Sequence, residues 1–443
     1  MDPLIIALIV AVFTLIVLFS GIPIAFGLSF VSIVLLVSFE GFQMLDVFAE
    51  TFYAGLNSFV LLSIPMFILM GMAVANSPAG KDLYTGLDRW LWRLPGGLVI
   101  SNIGACSIFA ALSGSSPATC AAIGTMGIPE MRKRGYSDQI ATGTIAAGGT
   151  LGVLIPPSIV LIVYGIATGT SIGRLFLCGL IPGFMLAGMF AIWALIHSYF
   201  IDKDAAKALR NRVRPTLKEK LEVLPRIFPF LAIIVGVLYV LYGGVATPSE
   251  ASGVGAFLVF VLIAVVYKIY QPKKIWNIVK VSMKESVMIM FIIAASYLFA
   301  FTLSQLYVTQ SLAQSMVELS SNKWVVFILI NIFLLIAGFF LPPVAVIVMT
   351  SAILLPVITT LGFDPYWFAI VFTINMEIGL ITPPVGLNLY IIKGITPDVS
   401  LSEILKGSIP FMIIMALAIV ILCIFPEIVT WLPDKIMGKD LGF

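Results

Sequence analysis

Histidine is nearly absent from this chain. His197 stands alone at the end of an apolar run, a place that fits a membrane interface better than catalysis. The four cysteines, Cys106, Cys120, Cys178 and Cys423, are scattered through apolar stretches without paired or metal-type spacing, so they read as ordinary packing residues. One histidine and no Cys/His cluster exclude most metalloenzyme chemistry. Charge is scarce too: Asp, Glu, Lys and Arg make up 11% of the residues, against about 25% in a soluble domain. Hydrophobic residues reach 60% and the mean hydropathy is +1.11, so lipid must be the solvent for most of the surface. The basic residues lie in the connections between apolar segments, which leaves no patch for nucleic acid. No Walker-type loop, dinucleotide fingerprint or nucleophile motif appears, so ATP hydrolysis is excluded and the chain is not expected to be an enzyme.

What the chain does contain is itself, twice. Gly135-Tyr136 through Ile155-Pro156-Pro157 aligns without a gap onto Gly362-Phe363 through Thr382-Pro383-Pro384, at an offset of 227 residues (362 − 135). The same offset pairs Pro129 with Pro356 and Gly152 with Gly379, and nearby spacings pair Pro23 with Pro248 and Gly179 with Gly407. Two repeats, residues 1–200 and 227–443, therefore flank a basic linker at 201–226. Duplication with Gly/Pro-broken segments at matching places points to a transporter whose site lies where the breaks meet.

Full spans of about 20 apolar residues are expected at 4–20, 22–39, 52–75, 173–200, 227–246, 251–268, 285–305 and 408–426. The Met-Asp-Pro start lacks the positive region of a secretory signal, so residues 4–20 are expected as a retained span. The remaining apolar sequence is broken. Residues 97–131 form two short arms around Ser113 to Pro117, and 324–360 form two around Gly338 to Pro343. Arms of about 15 residues fall short of a crossing, so both stretches are expected to be re-entrant hairpins. Residues 139–168 and 366–395 carry Pro-Pro pairs that remove amide donors and bar a continuous helix. Such backbone is tolerated at membrane depth only against protein or a wet cavity. The fold class expected is an all-α polytopic membrane protein.

Most lysines and arginines fall in 78–96, 130–138, 201–226, 268–285 and 393–406. The spans place all five segments on one side, which the positive-inside rule makes the cytoplasm. Both termini then face outward, with Arg174, Lys323, Lys435 and Lys439, and the 40–50 connection carries only acids. The first hairpin has Arg132-Lys133-Arg134 at its base, whereas the equivalent Thr359-Thr360-Leu361 is uncharged. That contrast between aligned positions makes the repeats inverted. Segment 78–96, with Arg89, Trp90, Trp92 and Arg93, suits a helix in the cytoplasmic interface, and 306–323 is its outward counterpart; short loops are the plainer alternative.

The tips 113–117 and 338–343 should meet the breaks 152–158 and 379–388 near the midplane. Freed carbonyls and the hydroxyls of Ser113, Ser115, Ser116 and Thr382 suit a hard cation such as Na⁺, and half-helix N-termini suit an anionic substrate. Glu377, near Asn375, is an intramembrane carboxylate and by default functional. It could relay protons, neutralise a lysine, or brace the unwound segment by accepting amide hydrogen bonds. Asn57, Asn102, Asn331, Asn388 and Tyr164 are either polar contacts of the site or satisfied packing groups.

Three motifs carry a resemblance. Ser-Gly-Ser-Ser-Pro-Ala-Thr at 113–119, Gly-Thr-Leu-Gly-Val-Leu-Ile-Pro-Pro-Ser at 149–158 and the Asn375–Leu389 run resemble the large membrane subunit of TRAP (tripartite ATP-independent periplasmic) transporters. The resemblance covers essentially the whole chain, and the last run looks most like the C4-dicarboxylate branch. It implies Na⁺-driven uptake of small organic acids, delivered by a periplasmic substrate-binding protein across a bacterial inner membrane. It also implies an elevator, in which a transport domain carrying both hairpins slides against a scaffold. A small four-helix membrane subunit would be a separate partner, since residue 4 already begins the first span. Two sodium sites carry over: Ser113, Ser116, Gly152, Ile155 and Pro157 form one, and Gly338, Gly379, Thr382 and Val385 the other. Substrate contacts are expected from Ser115, Pro117, Ser158, Pro342 and Asn388, with Asn375 and Glu377 in coupling or structural support. The alternatives are an autonomous Na⁺/dicarboxylate symporter that needs no binding protein and, from another class, a channel or intramembrane enzyme.

Topology is directly testable. Cysteine labelling should find Arg132–Arg134 and the 201–226 linker inside and Glu40–Glu50 outside. Labelling of 203–220 from the periplasmic side would overturn the inverted arrangement.

Overall fold

A segment surrounded by lipid must close its own backbone hydrogen bonds, and a helix does so within one segment. In a computed structural model, which describes residues 3–92, 96–198, 215–318 and 322–439, every regular element among the described residues is accordingly helical. In chain order they are α1 (Pro3–Phe19), α2 (Ile24–Glu40), α3 (Leu45–Leu56), α4 (Ser63–Ala75), α5 (Ala79–Trp90), α6 (Gly97–Ser113) and α7 (Ser116–Lys133). Then follow α8 (Asp138–Leu154), α9 (Ile159–Thr168), α10 (Ile172–Ile196), α11 (Leu217–Tyr242), α12 (Pro248–Tyr267), α13 (Pro272–Gln305) and α14 (Val308–Glu318). The chain ends with α15 (Lys323–Phe340), α16 (Pro343–Thr360), α17 (Pro365–Leu380), α18 (Leu387–Ile395), α19 (Leu401–Ile424) and α20 (Glu427–Met437). Seven helices among the described residues are long and apolar enough to cross a membrane, or up to nine if each bent pair is one span.

Helices stop at the expected tips, between α6 and α7 and between α15 and α16, and at the expected breaks, between α8 and α9 and between α17 and α18. Three expectations need correction. The span expected over 52–75 is broken: the Phe42–Leu56 and Phe59–Ala75 stretches are bent by 58°. Asn57 leaves helical geometry, Ser58 is extended, and the Ser249 hydroxyl takes over the freed Phe59 carbonyl at 2.8 Å. Pro65 is harmless there, since it falls in the first turn of α4, where its amide would have no partner. Second, the hairpin arms are longer than expected, at 17 and 18 residues in the first hairpin and 18 each in the second. The arms of the second hairpin are long and apolar enough to span, so arm length does not mark it as re-entrant. Third, the stretch expected as linker is helical at its end: α11 opens at Leu217 on a Thr216/Glu219 capping box. Residues 199–214 and Arg93 lie outside the described residues.

Packing separates a dense centre from a lighter flank. The first halves of the broken pairs, α8 and α17, are buried along their lengths, α17 at every residue. Around them pack α6, α7, α10 and α19. On the flank, α1 and α2 share a separate apolar cluster with Ile292, Ala295, Phe299 and Leu303 of α13. Small residues let the central helices approach. A Cβ at Gly143 of α8 would lie 2.1 Å from the Gly407 carbonyl oxygen of α19, and one at Gly407 would lie 1.9 Å from the Gln139 oxygen.

That crossing yields a prediction. Both obstructions are backbone, so Gly407→Ala must part the two helices at about 1–3 kcal/mol, and the thermal midpoint in detergent should fall. Gly236→Ala, with nothing within 4 Å of the added carbon, should leave it unchanged. Equal midpoints for the two variants would mean that the α8–α19 crossing is looser than described.

Candidate functional site

The site begins where helices stop. α6 ends in Ser113, and Gly114 caps it in the left-handed region at φ +59°, where a side chain would be strained. A Cβ there would also come within 2.8 Å of the Pro157 carbonyl oxygen. The tip therefore sits on the first break, where the Ile159 amide donates to the Gly114 carbonyl at 3.4 Å. Gly152 completes the fit, since its missing Cβ would lie 2.9 Å from the Ser115 oxygen. All of Ile155 to Ser158 is buried. Inside the tip, Ser113 Oγ and Thr119 Oγ1 lie 2.9 Å apart, and Thr119 Oγ1 donates to the Ser115 carbonyl at 2.8 Å. Of the first cluster expected from sequence, Ser113, Ser116, Gly152 and Pro157 lie at this junction, and Ile155 packs against Gly183 of α10. Thr119 joins the junction; the hydroxyl three residues after Ser116 was legible in the motif but had no partner to recommend it.

The second tip repeats the pattern more loosely. A Cβ at Gly379 would fall 2.6 Å from the Gly338 carbonyl carbon and oxygen, so the tip of α15 rests on the end of α17. The Thr382 amide donates to the Gly379 carbonyl at 3.2 Å, and its hydroxyl donates to the Ile378 carbonyl at 2.6 Å. Gly338, Gly379 and Thr382 are therefore neighbours. Pro383, Pro384 and Val385 are exposed, unlike their counterparts in the first break.

Glu377 joins the two regions. It is 1% exposed, and its Oε2 accepts a hydrogen bond from the hydroxyl of Ser116, itself fully buried, in the first hairpin. Its other oxygen has no partner, and among the described residues no lysine or arginine pairs with it. The carboxyl therefore does not neutralise a lysine or brace its own break through amides; it holds the opposite hairpin. Asn388 is fully buried with neither amide atom hydrogen-bonded, and its Nδ2 lies 3.5 Å from the Cβ position of Gly149. Asn375 instead donates to Asn331 at 2.9 Å, with its own Oδ1 unpartnered, and Tyr164 donates to the Pro365 carbonyl at 3.0 Å. Asn102 contacts Met131 with its amide nitrogen, and Asn57 caps the bend after α3.

Ser115 and Pro117 line a cleft of about 450 Å³ together with Asn76, Ser77 and Glu285. Ser158 is buried and caps α9 by accepting from the Leu161 amide at 3.3 Å, and Pro342 is exposed at the second tip. Asn76, Ser77 and Glu285 were missed from sequence; the one available signal was a carboxylate opening the apolar run of α13.

The basic segments gather at one end of the molecule. Arg134 pairs with Asp88 at 3.1 Å, Arg132 pairs with Asp138 at 2.8 Å and with Asp398, and Arg226 meets Asp82 at 3.5 Å. The hydrogen bond from Arg132 holds the Asp398 carboxyl below its ordinary range. Arg174 lies at the opposite end, 7% exposed, paired with Asp434 and bonded to the Gly438 carbonyl at 2.8 Å.

Apolar helices that break in the buried interior, against glycine-lined hairpin tips rich in oxygen, define a polytopic membrane transporter. The fold is similar to the crystal structure of the YdaH transporter of Alcanivorax borkumensis, with a TM-score of 0.64 and 13% identity over 91% of each chain. Residues 9–428 match the family described as tripartite ATP-independent periplasmic transporter, DctM component. The chain belongs to that family and is one of its large permeases. It is 34% identical over 95% of its length to the C4-dicarboxylate TRAP transporter large permease protein DctM of Vibrio cholerae, covering 96% of that protein. It is 33% identical over 92% of its length to the isethionate TRAP transporter permease protein DctMQ of Oleidesulfovibrio alaskensis, of which it spans 63%.

The second tip supplies a test. In Gly379→Ala the new methyl meets backbone at 2.6 Å, so the α15 tip must lift. Transport should drop about tenfold, the effect of about 1.4 kcal/mol, and the thermal midpoint should fall less than in Gly407→Ala, whose nearest backbone atom is closer at 1.9 Å. Undiminished transport by a folded Gly379→Ala variant would detach this contact from function.

Proposed function

We propose that this chain is the membrane transport subunit of a Na⁺-coupled secondary transporter for small organic acids. C4-dicarboxylates and related carboxylates or sulfonates are the substrate class, a reading supported by the names of the two relatives. The observation that carries it is the pairing of two hairpin tips with two broken helices, each closed by a glycine contact, Gly152 against Ser115 and Gly379 against Gly338. In this reading residues 1–200 and 227–443 are inverted repeats, and both hairpins ride in a transport domain that slides as an elevator against a scaffold.

Two or more sodium ions are taken by neutral oxygens: the hydroxyls of Ser113, Ser116 and Thr382 and the carbonyls freed at the breaks. The donor set fits, because oxygen ligands suit a small hard cation and the first tip buries a hydroxyl–carbonyl group without a basic residue beside it. Among the described residues no cluster of His, Cys, Asp and Glu could hold a multivalent metal, which favours weak, reversible capture by neutral oxygens. The substrate carboxylate is then drawn to the helix N-termini that open at Ser116, Ile159, Pro343 and Leu387.

Partners follow from the family: a periplasmic substrate-binding protein and a small four-helix membrane subunit. The isethionate relative, longer than this chain, has room for that subunit as a fusion. The clustered basic segments support a bacterial inner membrane orientation with this end in the cytoplasm and both termini periplasmic.

Reconstitution tests the whole reading. Proteoliposomes with the small subunit and a loaded binding protein should accumulate substrate only with an inward Na⁺ gradient. Ser116→Ala should weaken apparent Na⁺ affinity by roughly tenfold, the effect of about 1.4 kcal/mol, without abolishing assembly. Uptake driven by a proton gradient in the absence of Na⁺ would refute sodium coupling, and uptake without a binding protein would favour the autonomous symporter.

A further inference from the structure

Serine hydroxyls in this molecule follow a habit that Ser116 breaks. Most buried serines inside helices, Ser32, Ser101, Ser282 and Ser408 among them, donate to the carbonyl four residues back. Ser116 opens α7 and has no preceding turn of its own helix to bond. Its hydrogen goes instead to Glu377, 261 residues away on α17. A hydroxyl has one hydrogen and two lone pairs. With the hydrogen fixed on a carboxyl, both lone pairs are left for the other side of the oxygen, where the tip and the first break converge.

Both halves of the second broken helix reach this place. α17 brings Glu377, two residues before the Gly379 that touches the second tip. α18 brings Asn388 to 3.5 Å from the Cβ position of Gly149, and the Ser116 carbonyl lies 3.1 Å from the same point. The unpartnered Glu377 Oε1 and the unbonded Asn388 amide are buried polar atoms at this junction, which fits a place that a bound species completes.

We propose that Glu377 is a positioning residue for the first ion site: by taking the hydrogen of Ser116 it aims the hydroxyl oxygen at the ion. Sodium binding in the first repeat thereby depends on where the second broken helix lies. This rests on the sodium reading above and deepens it. The dependence is reciprocal, so an ion at the first site also favours the α17 position that holds the second tip. One carboxyl thus lets the two sites fill as a pair without touching either ion.

Binding, not transport, is the readout. The purified transporter in detergent is titrated with NaCl against choline chloride at constant ionic strength, and the thermal midpoint gives an apparent Na⁺ affinity. Glu377→Met removes the acceptor and puts an apolar chain in an apolar setting, so folding is not endangered; Glu377→Leu repeats the comparison. Each should weaken Na⁺ affinity by about tenfold. Glu377→Gln keeps an acceptor oxygen and should recover most of the loss. Because Glu377 acts through Ser116, the double variant Glu377→Met, Ser116→Ala should bind Na⁺ no more weakly than Ser116→Ala alone. Additive losses, or a Gln variant as weak as Met, would overturn the positioning role, the latter in favour of a direct effect of the charge. A wild-type midpoint indifferent to Na⁺ would instead remove the sodium reading on which this rests.

Discussion

Backbone polar groups in a membrane interior must find partners inside the protein, and the two tips and two breaks of this chain cannot find them within a helix. Each unpaired amide or carbonyl in hydrocarbon costs several kcal/mol, on the order of what separates a folded from an unfolded domain. The molecule meets that cost by turning each break toward another. The Gly114 carbonyl receives the Ile159 amide, the Ser115 and Ser116 backbone lies against Gly152, and the Gly338 carbonyl lies against Gly379. Everything else in the core is arranged so that these contacts can occur. α17 is buried throughout, and α8 from Ile140 onward, because they carry the broken ends to the centre, and glycines at 143, 179 and 407 let the neighbouring helices close around them.

The same constraint makes the neutral ion chemistry proposed above feasible. Carbonyls that no longer serve a helix are already desolvated and oriented, so a small cation can complete them without a fixed counter-charge. The single exception, Glu377, is held at one remove by Ser116. Its burial without a basic partner is costly, a cost that a purely structural residue such as leucine or glutamine would have avoided. Its position, between the hairpin of one half and the broken helix of the other, gives that cost a use.

The ends of the molecule work differently. At the basic end, exposed pairs such as Arg132–Asp398 are individually weak and screened by salt. Their interest lies in what they connect, since they tie the base of the first hairpin to the loop before α19 and to α5. At the opposite end the buried Arg174 is fastened by Asp434 and the Gly438 carbonyl, which secures α20 across α10.

The duplication, the hairpins, the Pro-Pro breaks and the one-sided distribution of lysine and arginine were legible in the sequence. They rest on local chemistry: prolines without amides, apolar runs of helical length, charges kept out of lipid. The bend after Leu56 was not, because Asn57 and Ser58 are mild helix breakers and the Ser249 hydroxyl that bonds the Phe59 carbonyl lies 190 residues away. Nor could sequence tell the two breaks apart. Aligned at an offset of 227 residues (362 − 135), they carry the same Pro-Pro motif, yet Ile155 to Ser158 are buried and Pro383 to Val385 exposed. By itself the sequence determined where helices must stop. Which stops face each other, and that the Glu377 carboxyl reaches across to Ser116 rather than to its own break, was decided by tertiary packing, because those partners are set by the close approach of helices that lie far apart in the chain.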